Sequence, residues 1–188
     1  MTLGEHLRET AERLPDKTAL ICGETSLTFR EFDEQTTRLA LGLQARGIAK
    51  GDRVALHMNN TIELSLAYFG CFKAGAIAVP INSRLKTDEI EYMLQHCEAR
   101  MYIGEPELYP LAEPTRDSCP HVGDFFVTAR SEASDSASCF SDLLDAPVDG
   151  SLPNLAESDV AVILYTSGTT ARPKGVTHTH ASLRNGGR

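Results

Sequence analysis

Apolar residues recur at helical spacing at Leu3, Leu7, Ala11 and Leu14, and Pro15 follows, so the pattern predicts an amphipathic opening helix. Ala19-Leu20-Ile21 and Leu27-Thr28-Phe29 flank the turn-forming run Cys22-Gly23-Glu24-Thr25, which predicts a hairpin. Phe32, Leu39 and Leu43 stripe a second helix that stops near Gly47. Lys50-Gly51-Asp52 then turns the chain into a strand at Val54-Ala55-Leu56. The following helix has almost no polar face, with Ile62, Leu64, Leu66, Ala67, Phe69, Cys71 and Phe72 distributed around it. Asn60 with Glu63 offers a capping box at its start, and Gly75 stands just past its end. A helix apolar on nearly every side belongs between layers.

A strand at Ala76-Ile77-Ala78-Val79 comes next, ended by Pro80. A helix from Thr87 carrying Ile90, Leu94 and Cys97 follows, and then a strand at Met101-Tyr102-Ile103. This alternation predicts parallel β-α-β units and an α/β fold: a mainly parallel sheet flanked by helices. Prolines, serines and acidic residues dominate residues 113–141, apart from the strand candidate Phe125-Phe126-Val127, and residues 131–138 read as a mobile surface loop. The pattern resumes at Val160-Ala161-Val162-Ile163-Leu164-Tyr165, a run suited to a strand covered on both faces.

The chemistry of the chain is concentrated just after that run. Residues 166–175 supply the hydroxyls of Thr166, Ser167, Thr169 and Thr170, the small residues Gly168 and Gly175, and the cations Arg172 and Lys174, without a carboxylate. Such donors at the end of a rigid strand suit a polyanion such as the phosphates of a nucleotide. An ordinary P-loop is excluded by residue type. Pro173 occupies the place of its second glycine, and Gly175 follows the lysine where Ser or Thr would hold Mg²⁺.

Composition sharpens this picture. The 188 residues are 41% hydrophobic with a formal net charge of −8, which argues against general nucleic-acid binding. All 26 acidic residues precede residue 160, so an acidic body carries a locally basic loop. The five cysteines lie far apart without a C-x-x-C pair and read as free thiols in a reducing compartment. No apolar run approaches a membrane span, and the expected location is cytoplasmic. His178 and His180 follow the loop without a nearby carboxylate or cysteine and are expected to be structural.

The run Tyr165-Thr166-Ser167-Gly168-Thr169-Thr170-Ala171-Arg172-Pro173-Lys174-Gly175-Val176 closely resembles the signature Y-T-S-G-T-T-G-x-P-K-G-V of the adenylate-forming (AMP-binding) superfamily. It departs from that signature at Ala171, which stands where the pattern has glycine. If that position requires the left-handed conformation, alanine costs roughly 1–2 kcal/mol there. Gly51-Asp52-Arg53-Val54-Ala55 and Phe72-Lys73-Ala74-Gly75-Ala76-Ile77-Ala78-Val79-Pro80-Ile81-Asn82 extend the resemblance, as do Arg84-Leu85 and Glu89-Ile90. Ala78-Val79-Pro80-Ile81-Asn82-Ser83-Arg84-Leu85 is more similar to the acyl-CoA synthetase branch than to peptide-synthetase domains.

The resemblance implies that residues 1–188 are the amino-terminal part of the AMP-binding large domain of an acyl-CoA synthetase, an amino-terminal fragment inactive by itself. It implies that Thr166, Ser167, Gly168, Thr169, Thr170 and Lys174 bind ATP phosphates. It also implies a small-molecule carboxylic acid and CoA as further substrates, Mg²⁺ held by ligands beyond this chain, and a loop poorly ordered without ligand. Catalytic residues and oligomeric state stay unassigned. Two other readings remain open at this point: a non-catalytic phosphate-binding or interaction module, and an unrelated nucleotide hydrolase.

Overall fold

A computed structural model describes residues 1–145, 150–166 and 172–186. Helix α1 (Leu3–Arg13) starts in a capping box: the Thr2 hydroxyl accepts from the Glu5 N–H at 3.2 Å, and the Thr2 N–H donates to the Glu5 carboxylate at 2.7 Å. Strands β1 (Thr18–Cys22) and β2 (Thr25–Thr28) form a separate antiparallel ribbon, and Thr28 with Glu31 repeats the box at the head of α2 (Phe29–Ala45). The alternating core follows as β3 (Arg53–His57), α3 (Ile62–Ala74), β4 (Ile77–Pro80), α4 (Thr87–His96) and β5 (Ala99–Gly104). Beyond it lie α5 (Tyr109–Ala112), β6 (Asp124–Val127), β7 (Ser138–Cys139), α6 (Ser141–Leu144), β8 (Val160–Thr166), β9 (Lys174–Thr179) and α7 (His180–Gly186).

The cap of α3 is Thr61, not Asn60: its hydroxyl accepts from the Leu64 N–H at 3.2 Å. Ile62 and Leu66, one turn apart, both face the core. Gly75 ends the helix at φ 75°, a conformation that favours glycine.

The larger sheet has seven strands in the order β7-β6-β5-β3-β4-β8-β9. Every neighbouring pair is parallel except β8 with β9, so the predicted mainly parallel α/β architecture is the observed one. Side chains alternate between two cores. Val54, Leu56, Ala78, Met101, Ile103 and Phe126 pack beneath α1, α2 and α3, while Ala55, Val79, Tyr102, Phe125 and Val127 pack with Ile90 and Leu94 of α4 on the other face. Lys73 of α3, its side chain 1% exposed, fastens α3 to α2 through the Asp33 carboxylate at 2.6 Å and the Thr37 hydroxyl at 2.8 Å.

Two expectations need correction. Residues 131–138 are not a free surface loop: β7 pairs with β6, the Arg116 guanidinium donates to the Ser136 carbonyl at 2.8 Å, and the Ser136 hydroxyl lies 2.7 Å from that of Tyr109. These long-range polar anchors leave no local sequence pattern. Strand β8 is not covered on both faces either. Ala161 and Val162 are buried, but Leu164 and its cross-strand partner Val176 are 37% and 43% exposed. Beyond β4 the strand borders β9 alone, and no described helix lies over Leu164.

Candidate functional site

The phosphate-loop segment is the tip of an antiparallel hairpin made by β8 and β9. It leaves the carboxyl end of β8, the same edge at which the parallel strands β3, β4 and β5 end, where open α/β sheets place their ligands. Among the proposed phosphate ligands, Thr166 and Lys174 are described and are directly paired across the strands. Residues paired in this way present their side chains to one face. Both are exposed, on the side that also carries Leu164 and Val176. Lys174 makes no ion pair among the described residues, so its ammonium and the Thr166 hydroxyl form a donor set suited to an anion. Ser167, Gly168, Thr169 and Thr170 lie outside the described residues, as does Ala171, and so does the central part of the loop expected to be poorly ordered.

The opposite face of the hairpin rests on α4. Tyr165, paired with Gly175, directs its hydroxyl to His96 Nδ1 at 2.7 Å, and burial pushes the Tyr165 phenol up from its ordinary value. A side chain at Gly175 would bring its Cβ within 2.8 Å of Ile163 Cγ2 and 3.5 Å of the Tyr165 ring, so the close approach requires glycine. Tyr92, one turn before His96, donates its hydroxyl to the Pro173 carbonyl at 3.0 Å. The Arg172 guanidinium sits 5.3 Å from the centre of the Tyr92 ring. One of the two loop cations is therefore held against α4, while Lys174 faces the other way. The apolar pattern of α4 singles out neither Tyr92 nor His96, whose partners are 81 and 69 residues away.

The two histidines after the loop differ in burial. His178 is half-buried in β9, whereas His180 is buried, with Nδ1 3.4 Å from the Leu3 N–H and its ring edge-on to Phe72 at 5.7 Å. Burial lowers the pKa of His180. That is a packing role. No cluster of three His, Cys, Asp or Glu able to hold a metal occurs among the described residues, and none of the described helices is long and apolar enough to cross a membrane.

The AMP-binding enzyme family matches residues 7–187, and the chain belongs to it. It is 37% identical over 197 residues to a crotonobetaine/carnitine--CoA ligase of Escherichia coli O127:H6, covering 98% of this chain and 38% of that relative. The corresponding ligase of Salmonella paratyphi A is 39% identical over 198 residues with the same coverage. Among solved structures, the anthranilate CoA ligase AuaEII in complex with anthranoyl-AMP superposes with a TM-score of 0.89 at 30% identity, over 96% of this chain and 35% of that one. A putative long-chain-fatty-acid CoA ligase from Rhodopseudomonas palustris CGA009 gives 0.90 at 28% identity, over 99% and 46%. The chain thus spans well under half the length of the CoA ligases it matches.

Proposed function

We propose that this chain is the amino-terminal part of the large domain of an ATP-dependent acid–CoA ligase and supplies the contacts to the ATP phosphates. The observation that carries this reading is the hairpin tip. In a member of the AMP-binding family, the run from Thr166 to Lys174 emerges at the ligand-binding edge of the sheet, with an exposed lysine paired to a hydroxyl. Thr166, Ser167, Gly168, Thr169, Thr170 and Lys174 hold the β- and γ-phosphates.

In the first step a carboxylate oxygen of the substrate attacks the α-phosphorus. A new acyl–O–P bond forms, the bond to the bridging α,β-oxygen breaks, and pyrophosphate leaves with that electron pair. Lys174 provides positive charge where the leaving group gathers negative charge, and the hydroxyls orient the chain of phosphates for in-line departure. In the second step the CoA thiolate attacks the acyl carbonyl and AMP leaves. Mg²⁺, the acyl pocket and the adenine contacts belong to residues outside this chain, so the 188 residues by themselves form no acyl-adenylate. The substrate activated is a small-molecule carboxylic acid, the class to which the acids in the relatives' names belong.

The test is carboxylate-dependent exchange of pyrophosphate into ATP by the protein at its full encoded length. Lys174→Ala is expected to slow exchange about 10²–10³-fold while the protein stays folded by circular dichroism. An unchanged rate removes the role assigned to Lys174, and exchange by the 188-residue chain alone refutes the division of labour.

A further inference from the structure

We infer that Tyr92 and His96 of α4 are positioning residues for the phosphate loop, each gripping one arm of the hairpin at the residue next to the loop. His96 holds the entering arm through Tyr165, which immediately precedes Thr166. Tyr92 holds the returning arm through the carbonyl of Pro173, which immediately precedes Lys174. The two grips stand four residues apart on one helix face, and their rings contact each other at 5.3 Å.

Their helix is a fixed base. Ile90, Met93 and Leu94 are all at most 2% exposed and root α4 in the second core. Pro173 adds stiffness, since its ring fixes φ and its carbonyl is the one backbone polar group it can offer a partner. Arg172 over the Tyr92 ring keeps that arm turned toward α4 and leaves Lys174 on the opposite face. The consequence is that the residues flanking the segment are fixed on both sides, Tyr165 before Thr166 and Pro173 before Lys174. In catalysis that fixes where the Thr166 hydroxyl and Lys174 ammonium sit relative to the departing group, a placement on which in-line chemistry depends.

This inference rests on the proposed function, and the experiment separates the two. In the full-length protein, Tyr92→Phe keeps the ring beneath Arg172 and deletes the hydroxyl, while His96→Leu deletes the partner of Tyr165. His96→Gln restores an acceptor. Hydrogen exchange of the β8 and β9 amides is expected to speed up several-fold in Tyr92→Phe and His96→Leu, with β3, β4 and β5 unchanged. The kcat for pyrophosphate exchange should fall roughly three- to tenfold in each, the scale of one lost hydrogen bond, without a change in KM for the carboxylic acid, and His96→Gln should recover most of the loss.

A merely packed surface gives no such split between strands or between kinetic constants. Unchanged exchange of the β8 and β9 amides in both variants overturns the inference, as does faster exchange with an unaltered kcat. A wild-type protein that shows no carboxylate-dependent exchange overturns the proposed function instead, and the grip is then decided by hydrogen exchange alone.

Discussion

Strands β3 and β8 each carry a short apolar run within one sheet, yet Val54, Ala55, Leu56 and His57 of β3 are all buried while β8 is buried at Ala161 and Val162 alone. Their sequences do not explain the difference. β3 lies between β4 and β5 with helical layers on both faces. β8 lies between β4 and the outer strand β9, resting on α4 at one face and, from Leu164 onward, open at the other. Burial belongs to the neighbourhood of a strand and not to its residues. The centre of the sheet is therefore where stability is set, and the margin is where an exposed donor set can meet a ligand.

The largest expected effect breaks the helical layer over that centre. Asp33→Ala leaves the Lys73 ammonium buried beside α2 without its carboxylate, whereas burial already pulls the Lys73 pKa below its ordinary value with the pair intact. Loss of one partner from such a pair costs roughly 3–5 kcal/mol, measured as a shift in the urea unfolding midpoint. A cost below about 1 kcal/mol would mean that Lys73 escapes to solvent.

A second effect of nearly that size comes from pH. His57 closes β3 with Nδ1 2.9 Å from the Tyr102 hydroxyl, while its Nε2 has no hydrogen-bond partner among the described residues. Burial pushes its pKa from 6.5 down to about 4. Between these values the unfolded chain takes up a proton that the folded protein refuses. Stability is thus whole above pH 6.5 and declines as pH falls toward 4, by roughly 3 kcal/mol in all. His180, also lowered by burial, adds a change of the same sign. His57→Gln should flatten the decline in thermal denaturation between pH 7 and 4, and an unchanged slope would remove His57 as its source.

What was legible in the sequence follows the same division. Helices announced themselves by apolar spacing and the central strands by short runs between turns, whereas the Thr2–Glu5 and Thr28–Glu31 capping boxes were not read from the sequence. These are local signals, and the cap of α3 missed by one residue because Asn60 and Thr61 are both good caps locally. The donor-rich, carboxylate-free character of residues 166–175 was legible as chemistry. Its setting was not. Lys174–Thr179 forms β9, and its antiparallel return to β8 was not read from the sequence. The grips from Tyr92 and His96 exist solely in three dimensions. Nor could the apolar run at residues 160–165 disclose that Leu164 faces outward while Ile163 and Tyr165 pack against the second core.

The smallest effect tests that last point most directly. Leu164 and Val176 face each other on the open side of the hairpin and keep 37% and 43% of their surface exposed, so each gains only part of the burial that a central residue gains on folding. Leu164→Thr in the 188-residue chain exchanges a partly exposed leucine for a residue equally suited to a strand, and its unfolding free energy should fall by about 1 kcal/mol at most. The matched exchange at Leu56, 1% exposed in β3, leaves a cavity lined by the first core and buries a hydroxyl there, at a cost of roughly 2–5 kcal/mol. If the two variants unfold at the same urea concentration, the distinction between centre and margin is wrong. If Leu164→Thr alone proves costly, the open face is covered in solution, and Thr166 and Lys174 are less free to receive phosphate than their exposure indicates.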